Sequence, residues 1–89
     1  MTSRNVAGTE ILLCRVAGQY FAVIDRCSHA RQKLSEGRLR GYEISCPLHG
    51  ARFDVRNGNC LAAPAINPVR TFEVCLEDDQ IIVRSESAS

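Results

Sequence analysis

Eighty-nine residues make a single domain, close to the size below which an apolar core alone is marginal and a metal or cross-link is usual. Eleven basic and ten acidic side chains leave a formal net charge of +1, without the basic excess of a nucleic-acid binder, and no apolar run approaches the ~20 residues that span a bilayer. Met1 to Gly8 lack the apolar stretch of a secretory signal, and five cysteines cannot form a complete disulfide framework, so a reducing compartment, the cytoplasm, is expected.

Glu10 to Val16 and Tyr20 to Ile24 are rich in Ile, Leu, Val and aromatic residues and are predicted strands, with Ala17-Gly18-Gln19 as the hairpin turn between them. Cys27-Ser28-His29 begins where the second of these strands ends. A single helical turn is expected within Leu34 to Arg38. Gly41-Tyr42 marks a turn into Glu43 to Ser45, a short strand that delivers Cys46-Pro47-Leu48-His49. Arg52 to Val55 returns as a strand, which puts the second Cys/His group at the tip of a hairpin, and Arg56-Asn57-Gly58-Asn59 is a strong turn signal. Pro64 and Pro68 bracket a stretch with little strand or helix tendency. Val69 to Leu76 alternates imperfectly as a strand, and a last hairpin closes through Glu77-Asp78-Asp79 into Gln80 to Arg84, followed by a Ser-rich tail. No segment sustains a helical period, so the fold class is all-β, built from short antiparallel strands.

The two Cys/His groups are separated by the 16 residues Ala30 to Ser45 and contain both histidines of the chain. A single zinc ion is indifferent to which loop supplies which ligand, and zinc fingers usually offer their cysteines as one close pair and their histidines as another. Here each group offers one of each, so that Cys27 and Cys46 can reach one metal of a binuclear site while His29 and His49 reach the other. That division is the ligation of a Rieske [2Fe-2S] centre. One zinc held by the same four residues is the competing reading. Cys14, Cys60 and Cys75 are expected to be free thiols serving as small apolar residues, since a catalytic cysteine needs a histidine partner and none is left over.

Cys27-x-His29 followed by Cys46-Pro47-Leu48-His49-Gly50 resembles the Rieske iron-sulfur family, and within it the ferredoxins of bacterial aromatic-ring oxygenase systems. The similarity extends from Gly8 to Val83 and includes Leu34-Ser35-Glu36-Gly37 and Gly50-Ala51-Arg52-Phe53-Asp54. It implies a Rieske fold over residues 1–89: an antiparallel β-sandwich base (about 8–25 and 67–84) carrying a small cluster-binding subdomain of two hairpin loops (about 26–66). Related ferredoxins carry about one more strand before the position of Gly8, where this sequence shows almost nothing, and that leaves Gln80 to Arg84 as an exposed edge.

The resemblance also implies one [2Fe-2S] cluster held by Cys27, His29, Cys46 and His49, and the role of an electron carrier between a ferredoxin reductase and a terminal oxygenase, both met transiently. Members with high potentials have a cysteine where this chain has Leu48, disulfide-bonded to one where it has Gln32, and hydroxyl donors to sulfur where it has Ala51 and Phe53. Fewer donors favour the oxidised state, so the potential is expected at the low end of the Rieske range, near about −150 mV. The basic neighbours Arg26, Arg31, Lys33 and Arg52 raise it only if they lie close. Pro64 matches a proline loop that packs over the cluster, Gly50 is expected to serve backbone geometry, and Glu77-Asp78-Asp79 is expected to be a solvated turn. The electron-transfer face is expected around His29, Ala30, Leu48, His49 and Pro64. With no third histidine, the chain cannot supply the two-His, one-carboxylate iron site of an oxygenase, so it is read as a carrier, not an enzyme, and as a monomer. A cluster-bearing or zinc-binding small subunit of a reductase is the alternative.

Overall fold

Two Val-Ala-Gly tripeptides ten residues apart shape the first part of the fold. Ala7 and Gly8 have φ of 51° and 87°, and Ala17 and Gly18 have 53° and 79°. Positive φ at both central residues is what a two-residue hairpin loop needs if its twist is to match its strands. Each tripeptide therefore reverses the chain, and β1 (Thr2–Val6), β2 (Thr9–Val16) and β3 (Gln19–Ile24) follow as an antiparallel meander. The expectation of almost nothing before Gly8 is thereby corrected. β1 pairs with β2 from Thr2↔Leu13 to Val6↔Thr9, but as an edge strand with mostly exposed residues it has no buried face to impose apolar alternation on its sequence.

The computed structural model describes residues 1–28, 32–47, 50–62 and 67–86. After β3 come a single 3-10 turn at Leu34–Glu36, then β4 (Arg38–Arg40), β5 (Glu43–Ser45), β6 (Arg52–Asp54), β7 (Cys60–Ala62), β8 (Thr71–Glu77) and β9 (Gln80–Glu86). Among the described residues these nine strands form two antiparallel sheets, ordered β1-β2-β3-β8-β9 and β4-β5-β6-β7. The helical turn falls within Leu34 to Arg38, as expected, and ends before Arg38 pairs with Ser45. β9 lies at a sheet edge, as expected. Asp78 and Asp79 take positive φ in the turn that leads into it.

The main core lies between the sheets. Leu12, Cys14 and Val23 of the larger sheet pack with Leu34, Ile44, Phe53, Val55 and Val69, and Cys27 and Cys46 belong to the same buried cluster. A second cluster of Ile11, Leu13 and Ala22, with Phe72, Val74, Ile81 and Val83 against it, gathers the alternate residues of the same strands. That β2 is buried through Ile11-Leu12-Leu13-Cys14 explains why its sequence reads as a continuous apolar run.

Side-chain contacts tie the sheets together at the turn after β6. The Asp54 carboxylate accepts hydrogen bonds from the Arg56 backbone N–H at 2.9 Å and from its guanidinium at 3.0 and 2.9 Å. The guanidinium lies 4.2 Å from the Tyr42 ring centroid, and Tyr42 meets Phe21 of β3 edge-on. Bonding to Arg56 holds the Asp54 carboxyl below its ordinary value. A carboxyl depressed in the folded state contributes stability above its unfolded value, near about 4, and loses it as pH falls through the folded value. Arg56→Ala should therefore begin acid unfolding at a higher pH than the parent. Circular dichroism followed from about pH 5 to pH 2 checks this, and superimposable curves would mean that the pair adds nothing.

Candidate metal centre

Both cysteines of the two Cys/His groups stand at the mouths of loops closed in the same way. The Cys27 N–H donates to the carbonyl of Gln32 at 2.9 Å, and the Cys46 N–H donates to the carbonyl of Ala51 at 2.7 Å. In each case a cysteine bonds to the fifth residue after it, and the closed segment contains one histidine in its sequence. The elements that present the loops differ. Cys46 caps the β5–β6 hairpin, where Ser45 pairs with Arg52, whereas the Cys27 loop carries the chain from β3 in one sheet to β4 in the other.

The second loop is tightened by a bond from the Gly50 N–H to the Cys46 carbonyl at 3.2 Å. Gly50 has φ of 74°, so its expected backbone role is the observed one. The first loop is anchored by Asp25, a buried carboxylate. One of its oxygens accepts the Ser35 N–H at 2.7 Å and the other accepts the Ser3 hydroxyl at 2.9 Å, while its own N–H donates to the Glu10 carbonyl. Asp25 thus fixes the stem of the Cys27 loop to the 3-10 turn on one side and to β1 on the other. Asp25 is absent from the sequence-based site residues, because its partners Ser3 and Ser35 lie 22 and 10 residues away in the chain. The Ser28 hydroxyl donates to the Asn67 carbonyl at 2.6 Å and so holds the loop to the segment entering β8.

Cys27 and Cys46 are only 2% and 3% exposed and share one buried cluster; neither forms a disulfide. His29 and His49, the other expected ligands, lie outside the described residues, as do Ala30, Arg31, Leu48 and Pro64. Among the described residues no group of three or more His, Cys, Asp and Glu side chains is placed to hold a metal ion. Cys14 is also fully buried, but it sits in the middle of β2, and burial pushes its thiol up to about 11. It stays neutral at physiological pH and behaves as the expected small apolar residue. Cys60 and Cys75 are partly buried.

Of the basic neighbours, Lys33 pairs with Glu10 at 3.0 Å and Arg52 with Glu43 at 3.7 Å, which offsets part of their charge. Ala51 and Phe53, at the positions where a hydroxyl would donate to sulfur, are fully buried and have none to offer. The turn Leu34-Ser35-Glu36-Gly37 also acquires a physical account: Leu34 enters the core, Ser35 meets Asp25, and Gly37 lies so close to the Ser45 carbonyl that a Cβ would collide with it.

Two buried thiols that begin equivalent loops, each with a single histidine in its sequence, form a donor set that fits a two-iron cluster with sulfur ligands on one side and nitrogen ligands on the other. The chain belongs to the Rieske [2Fe-2S] domain family, whose match runs over residues 1–73. It is 50% identical over 76 residues to the ferredoxin component of biphenyl 2,3-dioxygenase from Rhodococcus jostii, covering 85% of this chain and 71% of that one. Its fold superposes with a TM-score of 0.90 on the ferredoxin of carbazole 1,9a-dioxygenase from Nocardioides aromaticivorans, at 38% identity and covering 93% and 82% of the two chains. A further match, with a TM-score of 0.92 and 34% identity over 99% of this chain and 82% of the other, comes from a complex of reduced oxygenase and oxidized ferredoxin in carbazole 1,9a-dioxygenase. Among the described residues no helix is long and apolar enough to cross a membrane.

Proposed function

We propose that the protein is a one-electron carrier that takes electrons from a ferredoxin reductase and delivers them to a terminal aromatic-ring oxygenase, working as a monomer in the cytoplasm. The [2Fe-2S] cluster is held within the part spanning about 26–66, with Cys27 and Cys46 on one iron and His29 and His49 on the other. The observation that carries this assignment is the pair of equivalent loops, Cys27 to Gln32 and Cys46 to Ala51, each closed by its cysteine N–H around one of the chain's two histidines. A carrier needs only to hold the cluster and present it, and no catalytic group is required of the chain. The relatives that are ferredoxin components of dioxygenase systems support this role over that of a zinc-binding reductase subunit. The ferredoxin seen in complex with its oxygenase supports the choice of acceptor.

Iron and acid-labile sulfide analysis of protein produced with ample iron, followed by electron paramagnetic resonance of the reduced sample, tests the reading. Two irons and two sulfides per chain, with a Rieske-type signal and a midpoint near about −150 mV, are expected. One zinc and no sulfide would replace the carrier with a zinc module.

A further inference from the structure

The chain's net charge of +1 conceals a strong separation. Residues 26–66 contain seven basic and three acidic side chains, whereas residues 67–89 contain two basic and five acidic ones. The local charges are therefore +4 and −3, and the fold keeps them apart. β8 meets β3 at Thr71 and Phe72, opposite Val23 and Ala22, beside the end of β3 from which the chain leaves for Cys27. It then runs away from that end, so that the Glu77-Asp78-Asp79 turn lies six to eight residues further along, roughly 20 Å from Thr71 at the usual strand rise.

At the other pole three of the basic residues, Arg38, Arg40 and Arg52, share one face. The register of the smaller sheet sets Arg38, Ser45 and Arg52 in one row across β4, β5 and β6, and Arg40, Glu43 and Asp54 in the next, where Asp54 is buried and paired with Arg56. Leu39, Ile44 and Phe53 take the opposite, core-facing side, and Ile44 and Phe53 are fully buried. Outside, Arg38, Arg40, Arg52, Glu43 and Ser45 line an open groove. It adjoins a second depression lined by Glu36, Gly37, Arg38, Ser45 and Pro47, and so reaches the residue that follows Cys46. Glu43 is bound to Arg52, and among the described residues neither Arg38 nor Arg40 forms an ion pair. Three guanidinium groups lining the groove against the one carboxylate of Glu43, beside the second loop, match a carboxylate-rich protein surface, because a planar guanidinium presents paired N–H donors to a carboxylate.

We infer that the outer face of β4–β6, carrying Arg38, Arg40 and Arg52, is an electrostatic docking surface for an acidic patch on the oxygenase, and that the opposed acidic turn orients the approaching carrier with its cluster end forward. This rests on the proposed carrier role. The separated charges act as a dipole that raises the rate of productive encounter, an effect that salt weakens.

The test uses the full chain loaded with its cluster and reduced. In stopped flow, one electron passes from the reduced cluster to ferricyanide, a trianion that becomes ferrocyanide, or to tris(phenanthroline)cobalt(III), a trication that becomes cobalt(II). Added salt should slow the first reaction and speed the second, although the whole chain is nearly neutral. The triple variant Arg38→Gln/Arg40→Gln/Arg52→Gln should react about tenfold more slowly with ferricyanide at low salt and lose most of the salt dependence. Its visible spectrum and midpoint potential should match those of the parent. Delivery to the oxygenase component of biphenyl 2,3-dioxygenase should fall by a similar factor. If the parent reduces that oxygenase and the triple variant matches it in rate and salt dependence, the docking face is refuted and the carrier role stands. If the parent shows the ferricyanide pattern but passes no electron to the oxygenase, the carrier role is refuted and the oxygenase is removed as the occupant of this face.

Discussion

His29→Ala and His49→Ala should each abolish the Rieske-type resonance signal and reduce electron transfer to background. The reason is the size of the donor set. With one nitrogen and two sulfurs left, one iron keeps an open coordination position, and no spare histidine exists in the chain to fill it. In a domain this small a cluster held by the four proposed ligands would also cross-link the two loops, so its loss should lower the thermal midpoint as well. Cys60→Ala and Cys75→Ala supply the contrast and should retain signal and transfer. The measurements are iron and sulfide content, the resonance spectrum of the reduced protein, and the melting curve of each variant. An intact, redox-active cluster in both histidine variants would remove His29 and His49 from the ligand set.

The parts of the fold legible in the sequence are those whose residues feel a buried face or a turn with its own chemistry. β2 and β3 announce themselves through apolar runs, and the hairpin between them through Ala17-Gly18. β5 was readable because Ile44 sits between two polar residues and Gly41-Tyr42 precedes it. β4 and β7 were not. Arg38–Arg40 and Cys60–Ala62, each as short as β5, become strands by pairing with β5 and β6. β1 was hidden by its exposure, although Val6-Ala7-Gly8 repeats the turn tripeptide of Val16-Ala17-Gly18 and was signal enough to find it.

The site divides along the same line. Chemistry that depends on residue identity could be read directly: two histidines, each close after a cysteine. Support that depends on three-dimensional closure could not. Nothing local marks Asp25 as the acceptor for Ser3 and Ser35, because these bonds span 22 and 10 residues. Nor does the sequence tell that the two loops reach the core from different sheets, or that arginines spaced from 38 to 52 form one face. Strand register produces that face, and register is a property of the paired strands.

Gly37 shows the same dependence on closure, and substituting it should have the largest effect on folding of any single added methyl group near the site. Its φ of −90° and ψ of −150° are open to residues other than glycine, so the constraint is not one of backbone preference. It is one of space. A Cβ here would lie inside the van der Waals envelope of the Ser45 carbonyl oxygen and close to the Leu34 carbonyl as well. Both obstacles are backbone, and neither can swing aside. Ser45 pairs with Arg38 and Arg52 and immediately precedes Cys46, while the Leu34 carbonyl accepts the Gly37 N–H. Gly37→Ala must therefore push β5 away from the 3-10 turn, and with it the stem of the second loop. Overpacking against fixed atoms at this site should cost about 3 kcal/mol or more. Gly18→Ala is the control, since a Cβ there meets nothing within 4 Å and brings only the strain of its positive φ. Urea unfolding of both variants, with cluster content measured on the same samples, should place Gly37→Ala far below Gly18→Ala in stability and leave it with little cluster. Equal midpoints and full cluster content would show that β5 can move away from the turn at no cost, and that the close approach of Gly37 to Ser45 does not position Cys46.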